Sequence, residues 1–255
     1  MSAAPLLAVR GLMKSFGGLV ATDDLWLDVA PGEIHAVIGP NGAGKTTLVN
    51  LLSGFARPDA GTIAFAGRDI TRLAAAPRAR LGLARAFQIT SIFRDMSAAD
   101  NVALAVQARE PHAFRFWRPA ATDPVLREPA AAALAQVGLA GRADVPAGTL
   151  AHGEQRALEI AMALATAPRL LLLDEPMAGM GPDESQRMVT LLQSLKGRYT
   201  MLLVEHDMDA VFALADRITV LVYGRAIATG TPAEIRANAE VREAYLGEGE
   251  AEGAP

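Results

Sequence analysis

The chain contains no cysteine, which excludes a disulfide framework and a thiolate-bound metal and leaves a reducing compartment unopposed. It also has no surplus of positive charge: the net charge is −4 and the pI about 5.6. Charge-driven recognition of nucleic acid needs a basic face, so that class is excluded, local basic patches aside. Long apolar runs are missing too. Stretches such as Leu170 to Leu173 and Ile218 to Val222 fall far short of the roughly 20 residues that span a bilayer. The first ten residues lack the charged start and apolar core of a secretion signal. Any membrane role is therefore expected to be played on the surface of a partner. There is no internal repeat and no heptad pattern. What is present is 255 residues, 51% of them hydrophobic, which suffices for one or two domains with a substantial core.

The stretch with the most chemistry is Gly39-Pro40-Asn41-Gly42-Ala43-Gly44-Lys45-Thr46-Thr47, which fits the phosphate-binding pattern G-x-x-x-x-G-K-[ST]. By residue usage alone the pattern arises in roughly one chain in a hundred of this length. Its flanks make the match specific. Ile34 to Ile38 reads as a buried strand and Leu48 to Leu52 as helix. The glycines let successive N–H groups turn inward around a polyphosphate, and the helix adds its positive dipole end. Lys45 offers a mobile charge to the β- and γ-phosphates, and Thr46 a hydroxyl ligand for Mg²⁺.

Along the chain, Leu6 to Met13 and Asp24 to Val29 have strand character, as does Thr62 to Phe65 between turns. These short strands predict an antiparallel subdomain against the nucleotide strand. Phe16, in the loop between the first two, is either a core anchor or a stacking surface for a purine. Leu73 to Arg85, rich in Ala, Leu and Arg, predicts a helix ending near Phe87-Gln88. Ala98 to Ala108 predicts another, with Ser97 as N-cap. Arg109 to Arg127 holds Trp, Phe and Arg among prolines, and reads either as a surface excursion or as a protein contact patch. Glu128 to Val137 resumes as helix.

Leu150-Ala151-His152-Gly153-Glu154-Gln155-Arg156 opens a helix that runs to about Ala165. Leu170 to Leu173 is continuously apolar, as a strand buried on both faces must be, and it ends in Asp174-Glu175. Carboxylates at the carboxyl end of a buried parallel strand sit where α/β sheets hold their ligands. Thr200 to Val204 repeats the pattern and ends in Glu205-His206-Asp207. Pro182 to Leu195 and Asp207 to Ala215 predict helices, and Ile218 to Val222 with Arg225 to Thr229 a hairpin.

These motifs, in this order and spacing, resemble those of ATP-binding subunits of ABC transporters. The resemblance covers nearly the whole chain: the phosphate loop, a glutamine loop at Gln88, the signature Leu150 to Arg156, the acidic strand end and a switch histidine at His206. Phe16-Gly17-Gly18-Leu19-Val20-Ala21, Phe93-Arg94-Asp95-Met96, Glu205-His206-Asp207-Met208 and the tail from Gly230 to Glu248 resemble the branched-chain amino acid importer branch. The resemblance implies an α/β P-loop NTPase cassette with a mostly parallel sheet, an N-terminal antiparallel subdomain and an α-helical signature subdomain. Residues 1–91 with 168–230 would form the core and β subdomain, 92–167 the helical part, 231–248 a helical tail and 249–255 a frayed end. It also implies ATP and Mg²⁺ as cofactors. Phe16 would stack on adenine; Thr46, Gln88 and, through water, Asp174 would order the metal. Glu175 would activate the attacking water, and His206 would hold it in line with the γ-phosphate. Ala151, His152, Gly153, Glu154 and Gln155 would close over ATP held by a second cassette. The implied partners are that second ATPase, two integral-membrane permease subunits and an external solute-binding protein, with no nucleic acid. The implied location is the cytoplasmic face of the inner membrane.

Two departures stand out. Ala151 occupies a position where the family's usual signature has serine, and Met177 to Asp183 differs from the Ser-Ala-Leu-Asp loop of many cassettes. Other readings are a regulatory cassette without hydrolysis, a cassette of DNA repair or translation, and one driving lipopolysaccharide export. The second of these tends to carry coiled-coil insertions or two cassettes, and neither is present.

Overall fold

A computed structural model describes residues 4–86, 92–109 and 123–243. Two sheets organise them. The larger has six strands in the order β10-β9-β3-β8-β7-β6, where β3 is Ile34–Ile38, β6 Leu83–Ala86, β7 Leu170–Asp174, β8 Thr200–Val204, β9 Arg217–Val222 and β10 Arg225–Gly230. Its pairings are parallel except at the β9–β10 edge. The smaller sheet is antiparallel, in the order β2-β1-β4-β5, from β1 (Leu7–Phe16), β2 (Leu19–Val29), β4 (Ala60–Phe65) and β5 (Arg68–Asp69).

The apolar run of β7 shows why the parallel strands carry almost no polar residues. Successive side chains point to opposite faces, so Leu170 and Leu172 join one core cluster while Leu171 and Leu173 join another. On the first face lie α1 (Lys45–Ser53) and the antiparallel sheet, through Leu48, Leu52, Val9 and Ile63. On the second lie α3 (Ala98–Arg109), α4 (Pro124–Gln136), α5 (His152–Ala165) and α6 (Pro182–Leu195). A third cluster packs Ala36, Ile38, Ile218 and Val220 against α7 (Met208–Leu214) and α8 (Pro232–Ala237). No helix among the described residues is long and apolar enough to cross a membrane.

Several elements differ from expectation. Leu73 to Arg85 is not one helix: a short α2 (Ala75–Arg80) ends, Gly82 takes φ +97°, and Leu83–Ala86 pairs parallel with β7. Helix propensity lost there to a tertiary strand pairing. The expected excursion is shorter than Arg109 to Arg127, because Asp123 caps α4 by accepting the Val125 N–H and Pro124 opens the helix; residues 110–122 lie outside the described set. Phe16 is not in a loop but closes the β1–β2 ladder opposite Leu19.

The two-residue turn between β9 and β10 is Tyr223-Gly224, with both residues at positive φ, +48° and +79°. Asn-Gly suits such a turn, while a tyrosine in the left-handed region is strained. Tyr223 is also 87% exposed, so it gains little from packing. Tyr223→Asn is expected to raise stability by about 0.5–1 kcal/mol, read from the urea midpoint. A lowered midpoint would show that the ring makes a contact that matters.

Candidate functional site

The large sheet creates the site through its strand order. From β3 the chain crosses to the far edge at β6, returns through β7 to β8 beside β3, and then places β9 on β3's other side. Connections leave β3 in both directions, and the crevice at the carboxyl ends of such strands is where α/β sheets bind ligands. The loop after β3, Asp174 at the end of β7 with Glu175 just beyond it, and His206 after β8 all lie at that end.

Gly39 and Gly44 pack too closely against neighbouring backbone to admit a side chain. A Cβ on Gly39 would lie 2.1 Å from the Leu221 carbonyl oxygen, and one on Gly44 2.2 Å from that of Ala21. Gly44, at φ +100°, leads directly into α1, and no side chain caps that helix. Its first N–H groups are therefore available to an anion. The Lys45 ammonium donates to the carbonyls of Gly39 and Pro40. Burial pushes its pKa down, against the opposing pull of Glu175 and Asp174.

A cleft of about 260 Å³ covers the loop, lined by Phe16, Leu19, Val20 and Ala21 from the first hairpin, residues 41–47, and Glu175. Phe16 is 55% exposed there, which rules out the core-anchor reading. Its ring lies 5.3 Å from the Lys14 ammonium and is open to a planar ligand on the cleft side.

Asp174 is only 3% exposed. Burial pushes its pKa up, and the neighbouring Arg85 and Arg156 work against that rise. Its Oδ2 accepts from Arg85 Nη2 at 2.9 Å. Glu175 has φ +48°, a left-handed conformation that non-glycine residues seldom adopt. Its N–H donates to the Val204 carbonyl at 2.9 Å, so the end of β8 holds the kink. Strain retained at one carboxylate in a ligand cleft points to function. His206 follows the same strand end, is 61% exposed, and does not line the cleft. Gln88 lies outside the described residues.

The signature residues stand apart from this cleft, on the exposed amino end of α5, which packs with α3 and α4. Glu154 reaches back to accept the Ala151 N–H at 3.0 Å, while Gln155 Nε2 donates to the Leu150 carbonyl at 2.8 Å. Ala151 has no side-chain acceptor, so half of a capping box is missing. His152 lies near Gly179 of the loop after β7, and Gly153 faces Glu184 at the start of α6. Ala151→Ser would complete the box, and is expected to add about 1 kcal/mol of stability. ATP turnover should change by less than about tenfold, equivalent to 1.4 kcal/mol of barrier; a larger rise in a phosphate-release assay would show that the hydroxyl contacts the reacting phosphate.

Three charged residues escape sequence reasoning. Glu205 is fully buried, accepts the N–H groups of Met177 and His206 at 2.9 and 3.1 Å, and so ties the two strand ends together. Burial pushes its pKa up, and those donors work against the rise. Arg85 bridges α1 and β7. Arg78 donates to the carbonyls of Leu51 and Leu52 behind the loop. Arg78 and Arg85 both fall in the helix predicted over Leu73 to Arg85, where arginine is ordinary, and their partners on α1 and β7 are remote in sequence.

The comparisons with known proteins agree with this geometry. Residues 22–178 match the family model of the ABC transporter, and residues 227–251 that of the branched-chain amino acid ATP-binding cassette transporter. The chain is similar to the high-affinity branched-chain amino acid transport ATP-binding protein LivG of Salmonella typhimurium, with 42% identity over 96% of this chain and 98% of that protein. The same figures hold for BraF of Pseudomonas aeruginosa. The lipopolysaccharide export system ATP-binding protein LptB of Acidithiobacillus ferridurans is 39% identical over 95% of this chain and 97% of its own length. Among solved structures, the ATP-binding cassette MJ1267 in its ADP conformation is similar at a TM-score of 0.84 and 29% identity, covering 96% of this chain and 100% of that one. A phosphate loop, an acidic strand end and a detached signature helix on this topology, with a family match over most of the chain, lead to one conclusion: the chain belongs to the ABC transporter family, as an ATP-binding cassette.

Proposed function

We propose that this cassette hydrolyses ATP to drive import of branched-chain or related amino acids. The observation that carries the hydrolytic reading is Glu175 sharing one cleft with the phosphate loop and Phe16. Adenine stacks on Phe16, the loop N–H groups and Lys45 hold the phosphates, and Glu175 takes the proton of a water attacking the γ-phosphorus as the bond to ADP breaks. The resemblance assigns alignment of that water to Gln88 and to His206, which stands outside the cleft at the end of β8. Phosphoryl transfer is mainly positioning and charge stabilisation, so this sparse set suffices.

The donors present suit Mg²⁺. The Thr46 hydroxyl and the Asp174 carboxylate are hard oxygen donors, and no cluster of three or more acidic, His or Cys side chains forms a protein-only cage among the described residues. That is the pattern for a cation carried largely by the nucleotide's own phosphates. When bound, Mg²⁺ neutralises charge on the phosphate oxygens.

The amino end of α5, with Ala151 to Gln155, is the surface offered to ATP on a second cassette, where the helix dipole favours an incoming anion and the Gly153 N–H already donates to a carboxylate, that of Glu184, at 3.4 Å. Closure of the pair around ATP, and release after hydrolysis, is passed to two permease subunits supplied by an external binding protein. A mostly apolar cleft of about 360 Å³ lined by Phe55, Ala79, Arg85 and Met162 lies beside β6 and suits an inserted permease segment. The similarity of the C-terminal part to the branched-chain amino acid cassettes supports the choice of solute.

The test is uptake of labelled leucine by vesicles that hold the cassette, its cognate second ATPase and permeases, with binding protein outside and ATP inside. Uptake that tracks phosphate release supports the reading. Phosphate release without uptake of leucine, isoleucine or valine overturns the solute, and absence of phosphate release overturns the ATPase.

A further inference from the structure

Arg85 makes contacts that the reaction scheme does not use. It sits on β6, nearly buried, and its guanidinium works as a fork. One arm, Nη1, donates to Asn50 Oδ1 at 2.7 Å and to Ser53 Oγ at 3.1 Å in the last turn of α1. The other, Nη2, donates to Asp174 Oδ2 at 2.9 Å at the end of β7. The Phe55 ring lies 5.7 Å from the guanidinium carbon and covers it.

The consequence is geometric. Helix α1 has nine residues, a rod about 13 Å long, with Lys45 and Thr46 at one end and the Arg85 contacts at the other. Strand β7 presents Asp174. A planar group with fixed donor directions joins the two elements, and so sets where the carboxylate stands relative to the Thr46 hydroxyl. An ammonium cannot copy this, because it is a point charge on a flexible stem. Residues that orient a metal's ligands tune its affinity as the ligands themselves do.

We infer that Arg85 is a positioning residue which, by clamping α1 to β7, sets the affinity of the nucleotide-loaded site for its divalent cation. The inference rests on the proposed ATP site. Arg85 also lines the apolar cleft beside β6, so a segment inserted there touches the same guanidinium.

The test uses the full chain with a non-hydrolysable ATP analogue, and Mn²⁺ in place of Mg²⁺ so that free and bound metal are counted by electron paramagnetic resonance. Arg85→Lys keeps the charge and loses the fork; Arg85→Gln loses both. Both are expected to weaken Mn²⁺ binding by about tenfold or more, while affinity for the metal-free analogue stays within about twofold of the parent. A merely structural role would lower both affinities together or neither, and either outcome overturns the inference. If Arg85→Gln does not fold, Arg85→Lys carries the measurement. A parent that binds no analogue overturns the proposed function and this inference with it. Normal binding by the parent, beside variants with unchanged Mn²⁺ affinity, overturns this inference alone.

Discussion

Replacing Glu175 with glutamine is expected to lower ATP turnover by at least about 100-fold, the usual contribution of a positioned general base, with ATP affinity close to that of the parent. Glutamine keeps the size and polarity of the side chain and removes its capacity to accept a proton. The binding elements keep their shape without that carboxylate, although it acts on the Lys45 ammonium through space: the phosphate loop is shaped by backbone contacts with Leu221 and Ala21, and Lys45 by the Gly39 and Pro40 carbonyls. The backbone at Glu175 is also held independently of its side chain, by the N–H donated to Val204. The substitution therefore tests chemistry rather than folding. The measurement pairs single-turnover phosphate release with equilibrium nucleotide titration. Turnover equal to the parent's would remove Glu175 as the base, and loss of nucleotide binding would show instead that the carboxylate shapes the loop.

Arg78→Met is expected to be the most destabilising single change described here, by about 3–5 kcal/mol. Arg78 is 1% exposed. Its guanidinium donates to the carbonyls of Leu51 and Leu52 at 2.7 and 2.8 Å, to Leu73 at 2.8 Å and to Thr71 at 3.1 Å. Two of these are carbonyls in the last turn of α1, the negative end of the helix dipole, so the cation caps the helix whose other end opens on the glycine-rich loop. Burial pushes its pKa down to about 10, with Asp69 opposing, so it stays charged at neutral pH. Two effects compete when it is removed. The desolvation cost of a buried cation is relieved, but four carbonyls lose a donor, those of Leu51 and Leu52 in buried bonds and those of Leu73 and Thr71 in partly buried ones. The second effect wins, because only one side of each bond is deleted and methionine offers nothing in its place. For a chain of this size each kcal/mol shifts the melting temperature by about 2–4 °C, so a fall of about 10 °C is expected in a thermal melt. A shift under about 2 °C would show that water or rearranged side chains satisfy those carbonyls.

The two arginines behind the phosphate loop also show where sequence reading stops. The loop that carries Lys45 and Thr46 was legible because its shape depends on neighbours a few residues away and its glycines announce it. Leu170 to Leu173 and Thr200 to Val204 were legible because a strand buried on both faces must be apolar throughout. Local pattern places Arg85 in a helix, since Ala, Leu and Arg favour helices; its strand exists only because β7, more than eighty residues later, offers an edge to pair with. For Phe16, local pattern left a core anchor and an open ring equally plausible, and only the packed hairpin shows which face remains uncovered.

Sequence alone therefore determined the inventory of this cassette: the phosphate loop, the acids at the end of a buried strand, the signature at the start of a helix, and the periodicities of most elements. These follow from short-range rules of backbone conformation and side-chain burial. Tertiary structure decided which of them meet. It brought Glu175 and Phe16 to one cleft, left the signature facing outward, and hid Arg78, Arg85 and Glu205 among partners distant in the chain. A buried charge is explained only by the groups that desolvate and pair with it, and those groups are assembled by the fold.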